Sequence, residues 1–168
     1  MTVTWWQSAA ANLLPYGITA IAAHLMMSLG QTLFHRYLGH TRIGGQFFKN
    51  HIGFHHTNYS EDHLVSNQRP GRDGNNTPFF LIPSALVIAI SYWVLPFNLL
   101  IVQITAMSIS FYAHVYLDQQ YHVEGSWLRR FAWFVEKQQL HFSHHRDGNH
   151  NYAVIDNFWD RLLGTYKK

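Results

Sequence analysis

Three short runs carry most of the coordinating chemistry of this chain: His35-Arg-Tyr-Leu-Gly-His40, His51-Ile-Gly-Phe-His55-His56 and His141-Phe-Ser-His144-His145. They hold eight of its thirteen histidines. Imidazole is the commonest protein metal ligand, and it binds as the neutral base that prevails near physiological pH. A zinc ion takes four ligands and an octahedral metal six, so eight imidazoles exceed what one ion needs. The clusters predict two metals held close together.

Spacing decides which rings share an ion. At about 100° per residue, positions three or four apart lie on one face of a helix. By that rule His51 pairs with His55, and His141 with His144 or His145. The neighbours in each doublet, His55–His56 and His144–His145, point about 100° apart, so each doublet can give one ring to each metal. His35 and His40 are five apart, about 140° on a regular helix, and need a distortion near Gly39 to converge. Outside the clusters, His122 is a candidate ligand, and His114 and His63 are further possible ones. A lone histidine at the end of a span, such as His114, is more often a hydrogen-bonded core residue. His24 falls inside an apolar stretch and reads as structural or cavity-lining, and His150 as supporting or exposed.

Other chemistries fit poorly. There is no His-Glu-x-x-His for a zinc peptidase, no Glu-x-x-His of a carboxylate-bridged di-iron bundle, no Gly-x-Ser-x-Gly elbow and no P-loop. A haem needs only one or two histidines. The absence of cysteine excludes disulfides, thiolate metal sites and iron–sulfur clusters. Lys and Arg are too few for a nucleic-acid surface. The plain alternative is a histidine-rich chelating surface, but such tracts are usually short and contiguous.

The elements that position these runs emerge from the charge map. Residues 1–35 and 74–117 contain no Asp, Glu, Lys or Arg; all twelve basic and nine acidic residues lie in 36–73 and 118–168. Charge-free stretches longer than about 18 residues are transmembrane candidates. They predict spans at about 13–34, 79–95 and 97–117, with Pro96 and Asn98 making the turn between the last two. A soluble protein with buried core helices is the alternative, and two separate stretches of this kind argue against it. The N-terminus lacks a basic region and a cleavage site, so the first span is expected to remain as an anchor. If residues 36–76 face the cytoplasm, where Lys and Arg are favoured, all three clusters fall on that one face. Residues 57–77 read as a loop, and Ser126 as the cap of an interfacial helix over Trp127–Glu136. The expected fold class is all-α, a single domain over 1–168: an integral-membrane helical bundle with a cytosolic histidine-rich cap.

The order HxxxxH, HxxxHH, HxxHH beside hydrophobic spans resembles the fatty acid hydroxylase/sterol desaturase superfamily. So does the ending, Asn151-Tyr152 followed by Phe158-Trp159-Asp160-Arg161-Leu162-Leu163-Gly164-Thr165. The resemblance covers residues 35–165. Ala153 stands where many members have Gly, and the length is nearer that of bacterial carotenoid hydroxylases, which share the boxes but not this tail. The resemblance implies two irons, replaceable by zinc, bound by His35, His40, His51, His55, His56, His141, His144 and His145, with His122 joining them. Asp118, Asp156 and Asp160 are candidates to orient ligand rings through their second nitrogen, and Asn151 to support them; for Asp160 a turn cap is the equal alternative.

The implied reaction uses O₂ to oxidise an unactivated C–H bond of a lipid, whether fatty acyl, sterol or isoprenoid. Phe79, Phe80, Trp93, Phe111 and Tyr112 are candidates to line the chain's cavity. The sequence has no His-Pro-Gly-Gly motif of a fused cytochrome b5 and no cysteine for a rubredoxin, so electrons are expected from a separate ferredoxin-, rubredoxin- or cytochrome b5-type donor with its reductase. Arg129, Arg130 and Arg146 are placed to steer an acidic partner. Two alternatives stand beside the hydroxylase: a lipid desaturase on the same scaffold, and a non-catalytic membrane metal-binding protein.

Overall fold

A computed structural model of the chain describes residues 5–67 and 76–168, with side chains from residue 13 onward. Among these residues there is no β-strand, and an isolated parallel bridge joins Ser66 to Val123. Six α-helices follow one another: α1 (Trp5–Phe34), α2 (Gln46–Asn50), α3 (Thr77–Val94), α4 (Phe97–Tyr121), α5 (Ala132–Asp147) and α6 (Phe158–Leu162). Three segments are long and apolar enough to cross a membrane: Leu13–Gly39, Thr77–Val94 and Phe97–Tyr121. They lie within a few residues of the spans expected from the charge map. Leu95 and Pro96 alone make the turn, and Asn98 already belongs to α4.

Burial in these helices is inverted relative to a soluble protein. Ile82 is 76% and Trp93 85% exposed, and α3 buries no residue. Such an outward apolar surface is stable against lipid and would be an aggregation liability in water. Inside, Ala23 and Met27 of α1 pack on Met107 of α4, with Val87 and Ile88 of α3 beside them. Beyond the spans a second small core forms from Tyr121, Leu128, Phe134 and Val154. It carries α5 against the end of α4, and Gln138 ties the two by donating to the Tyr121 carbonyl at 2.7 Å.

Local departures from α-geometry matter more than the helices themselves. The first histidine run continues α1 as a π-helical turn over His35–Gly39, and the second is a π-turn over His51–His56. π-Turns close i to i+5 and occur mostly at functional sites. The interfacial helix expected over Trp127–Glu136 is two elements. A 3₁₀ turn spans Trp127–Arg130, with Ser126 Oγ accepting from the Leu128 amide, and α5 begins only after Phe131, whose extended backbone (φ −102°, ψ 125°) ends the turn. Of the expected loop over 57–77, residues 68–75 lie outside the described residues. Its near end is pinned to the cap, since Ser66 N donates to His122 O and Glu124 N to Ser66 O, both at 2.9 Å.

Candidate metal centre

Nine histidines converge into two adjoining groups. His35, His40, His51, His56 and His144 form one, and His55, His122, His141 and His145 the other; within each, the donor atoms all lie within 4.8 Å of one another. The π-turns explain the first group. They bring His35 to His40, and His51 to His56, each pair five residues apart, so the distortion needed at the first run is also present at the second. The pairing of His51 with His55 expected from α-helical pitch does not occur, because the π-turn rotates His55 into the other group. On α5, which keeps regular pitch, His141 and His145 share a group and His144 faces the first. Each doublet is divided between the two groups.

All nine rings meet through Nε2. In the five-histidine group His35–His51, His40–His51, His40–His144 and His51–His56 approach at 2.9, 3.1, 3.0 and 3.1 Å. In the other, His122–His141, His55–His145 and His141–His145 approach at 2.9, 3.1 and 3.1 Å. Four rings are fixed from behind by backbone carbonyls. His35 Nδ1 donates to Tyr152 O at 2.6 Å, His122 Nδ1 to Leu64 O at 2.7 Å, His144 Nδ1 to His150 O at 2.7 Å and His145 Nδ1 to Tyr59 O at 2.8 Å. A carbonyl only accepts, so each of these Nδ1 atoms carries the proton and each Nε2 presents a lone pair inward.

Those lone pairs are too many for hydrogen bonds among themselves. His122 and His145 both aim theirs at His141 Nε2, which can supply one proton at most. A cation at the centre satisfies all of them. Two nitrogens about 2.1 Å from one ion and at right angles are about 3.0 Å apart, which is the spacing seen here. The donor sets therefore fit two metal ions.

The protein also keeps these rings in their binding form. Burial, reinforced by neighbouring imidazoles, lowers His40 to about 4 and His56 to about 2, and pushes His51, His141, His144 and His145 well below the ordinary histidine value. Neutral imidazole is the ligand, so the site is poised for metal at neutral pH. Tyr59 stacks on His122 at 3.8 Å, and Tyr152 contacts His35, His40 and His144 edge-on.

The other candidates fall elsewhere. His114 joins neither group. Nor does the exposed His63. His150 is buried; it holds Ser143 Oγ through Nε2 and supplies the carbonyl for His144. Asp156 does not orient a clustered ring. Its loop lies along α1, where Oδ2 accepts from Ser28 Oγ and lies 3.1 Å from His24 Nε2. Asp160 does not orient a clustered ring either. Fully buried, it accepts from the amides of Tyr152 and Ala153 at 2.8 and 2.9 Å and from Thr165 Oγ1 at 2.8 Å, which is the cap role. Burial pushes its carboxyl up, while hydrogen bonds from Ala153, Thr165 and Tyr152 pull it down. Asn151, with φ at +54°, bridges α5 to the C-terminus through Leu140 O, Ser143 Oγ and Lys167. Asp118 is closest to the clusters, with Oδ1 3.5 Å from His141 Nε2 and Oδ2 3.9 Å from His55 Nε2. These are the converging nitrogens, so Asp118 is not placed to orient either ring from behind.

Sequence reasoning missed the carbonyls of Leu64, Tyr59, Tyr152 and His150. Backbone acceptors leave no side-chain signature, and only their position in the fold reveals them.

Comparison with known proteins agrees with this geometry. A family model described as fatty acid hydroxylase matches residues 20–165. No curated protein and no solved structure matches the chain. With two histidine groups beside three apolar helices, and a family match across most of its length, the chain belongs to the fatty acid hydroxylase family of integral-membrane oxidoreductases.

Proposed function

We propose that the protein hydroxylates an unactivated C–H bond of a lipid chain, using two iron ions, O₂ and electrons from a separate donor. The observation that carries this reading is the pair of adjoining, buried imidazole groups, five and four strong, with their lone pairs fixed inward. Two irons bound there supply the O₂-dependent oxidising chemistry; the chain supplies placement. Carbonyls of Tyr152, Leu64, His150 and Tyr59 hold four rings so that little reorganisation is needed on metal binding.

The lipid is placed by a cavity of about 150 Å³ between α1, α3 and α4, walled by Met27, Phe34, Phe80, Val87 and Met107. Its α1 wall runs from Met26 to Phe34, the residue before His35, so the cavity lies along the end of α1 that leads into the five-histidine group. An apolar cavity of about that size accommodates benzene, so this one takes about six carbons and fixes only the part of the chain near the reacting carbon. Of the aromatics considered for this role, Phe80 lines the cavity; Trp93 and Tyr112 are 85% and 70% exposed and face outward. Apolar walls exclude water from the oxidant, and the fixed segment favours attack at one carbon.

The distribution of Lys and Arg supports a cytoplasmic position for the metal groups. The exposed Arg129, Arg130 and Arg146 on that side suit an acidic electron donor. A desaturase on the same scaffold is the second reading. Isotope-labelled O₂ separates them: a hydroxylase places one labelled oxygen in the lipid product, a desaturase none. Two tightly held irons per chain support either enzyme, and fewer than two in carefully iron-loaded protein refutes both. Lipid profiling of expressing cells against a His144→Ala control identifies the product; unchanged profiles would remove the proposal.

A further inference from the structure

We infer that Asp118 is a metal ligand, the fifth donor of the four-histidine group, an inference that rests on the two-metal reading above. The two groups are unequal, with five imidazoles in one and four in the other. Asp118 sits on α4 one helical turn before His122, which puts its carboxylate on the same face of the helix as that ring. A carboxylate that merely orients a coordinating histidine reaches the nitrogen turned away from the metal. Asp118 reaches the opposite one. Its two oxygens lie 3.5 Å from His141 Nε2 and 3.9 Å from His55 Nε2, and both nitrogens belong to the converging set.

The Asp118–His141 spacing suits a shared ion, while the carboxylate stands outside the set of donors lying mutually within 4.8 Å, so ligation needs a small rotation of the Asp118 side chain toward His122 and His145. Two donors about 2.1 Å from one ion and about 113° apart are separated by about 3.5 Å. No other acid comes within ion-pair distance of either group among the described residues. The carboxylate side chain is 27% exposed, so ligation does not require moving a fully buried charge. The two ions would then differ in kind: one held by neutral nitrogens alone, the other by four nitrogens and an anionic oxygen, a harder donor that favours the higher oxidation state of iron.

The test is metal retention by full-length protein, loaded with cobalt(II) and dialysed against graded chelator. Wild type is expected to hold two ions. Asp118→Ala is expected to release one of them at about tenfold lower chelator or less, with the other unchanged. Its visible cobalt absorption should strengthen, since four-coordinate cobalt absorbs more intensely than five-coordinate, and Asp118→Glu should restore both readouts. Asp118→Asn, nearly the same size, decides the matter if the alanine variant does not elute as folded protein: early release of one ion supports ligation, and wild-type retention overturns it. An unchanged cobalt spectrum and chelator profile in both neutral variants likewise overturns it. Fewer than two ions in wild type is a different result, one that removes the two-metal reading itself.

Discussion

His35 Nδ1 donates to the carbonyl of Tyr152 at 2.6 Å, while the amide of Tyr152 donates to Asp160 at 2.8 Å. The first histidine run is thereby held by the C-terminal tail, and Trp159 Nε1 anchors that tail to Ser28 of α1 at 3.1 Å. Asp160→Asn keeps the size of the side chain but turns an acceptor into a donor facing the amides of Tyr152 and Ala153 and the Thr165 hydroxyl. Losing these charge-assisted bonds should cost about 3 kcal/mol of stability. It should also weaken metal at the five-histidine group by about 10- to 100-fold, as losing an outer partner of a ligand does. Chelator titration alongside thermal unfolding checks both. Wild-type metal retention in a destabilised variant would show that the Tyr152 carbonyl does not depend on Asp160.

The π-turn at the first run needs a residue without a side chain. A Cβ on Gly39 would sit 3.1 Å from Cδ2 of His51 and 3.3 Å from Cδ2 of His35. Both rings are ligand candidates and cannot give way without leaving the group. Gly39→Ala should therefore lower occupancy of the five-histidine group and spare the other, taking bound metal from two ions per chain toward one. Elemental analysis of purified protein reads this directly, and two retained ions would mean that the rings absorb the methyl.

Acid should unfold the metal-free protein through its histidines. In the unfolded chain they protonate below about 6.5. Burial lowers His40 to about 4 and His56 to about 2 in the fold. The unfolded state thus binds more protons, so stability is greatest above about 6.5 and falls as pH drops from there toward 4. Below 4 His40 adds nothing further, while His56 continues to contribute down to about 2. Bound metal competes with protons for the same nitrogens and should carry the protein to lower pH before it unfolds. Denaturation midpoints between pH 7 and 4, with and without metal, give the comparison; a flat midpoint in the metal-free protein over that range contradicts it.

The spans and the histidine clusters were legible because each rests on a pattern that survives folding. Charge-free stretches cannot face water or lipid indifferently, and adjacent histidines must diverge on any helix. The division of His55 from His56, and of His144 from His145, follows from that divergence. The pairing of His51 was not legible, since it depends on 4.4-type winding against the regular 3.6, and sequence spacing alone does not reveal a π-turn. Nor was the role of Asp156, and for Asp160 the sequence left the ring-orienting and turn-cap readings level, of which the fold shows the cap. Both are acids near histidines in sequence, but the tail folds back along α1 and turns one toward His24 and Ser28 and the other toward its own loop.

Gln31 poses the last test. It is 1% exposed, lies on α1 one turn before His35 and forms part of the wall of the apolar cavity, yet among the described residues neither Nε2 nor Oε1 has a hydrogen-bond partner. An unsatisfied buried amide costs about 1–3 kcal/mol. Gln31→Met has similar length and removes both orphaned atoms, so the variant should be more stable, with a melting temperature about 2–10 °C higher at this chain length. Metal content should remain at two ions, because Gln31 belongs to neither group. Where activity depends on a destabilising residue, stabilising substitutions cost function, so an amide that serves turnover predicts a product yield that falls even as stability rises. Thermal unfolding, elemental analysis and lipid profiling of the one variant separate these effects. A variant both more stable and fully active would show that the amide contributes nothing to turnover, and a less stable one that the fold satisfies it.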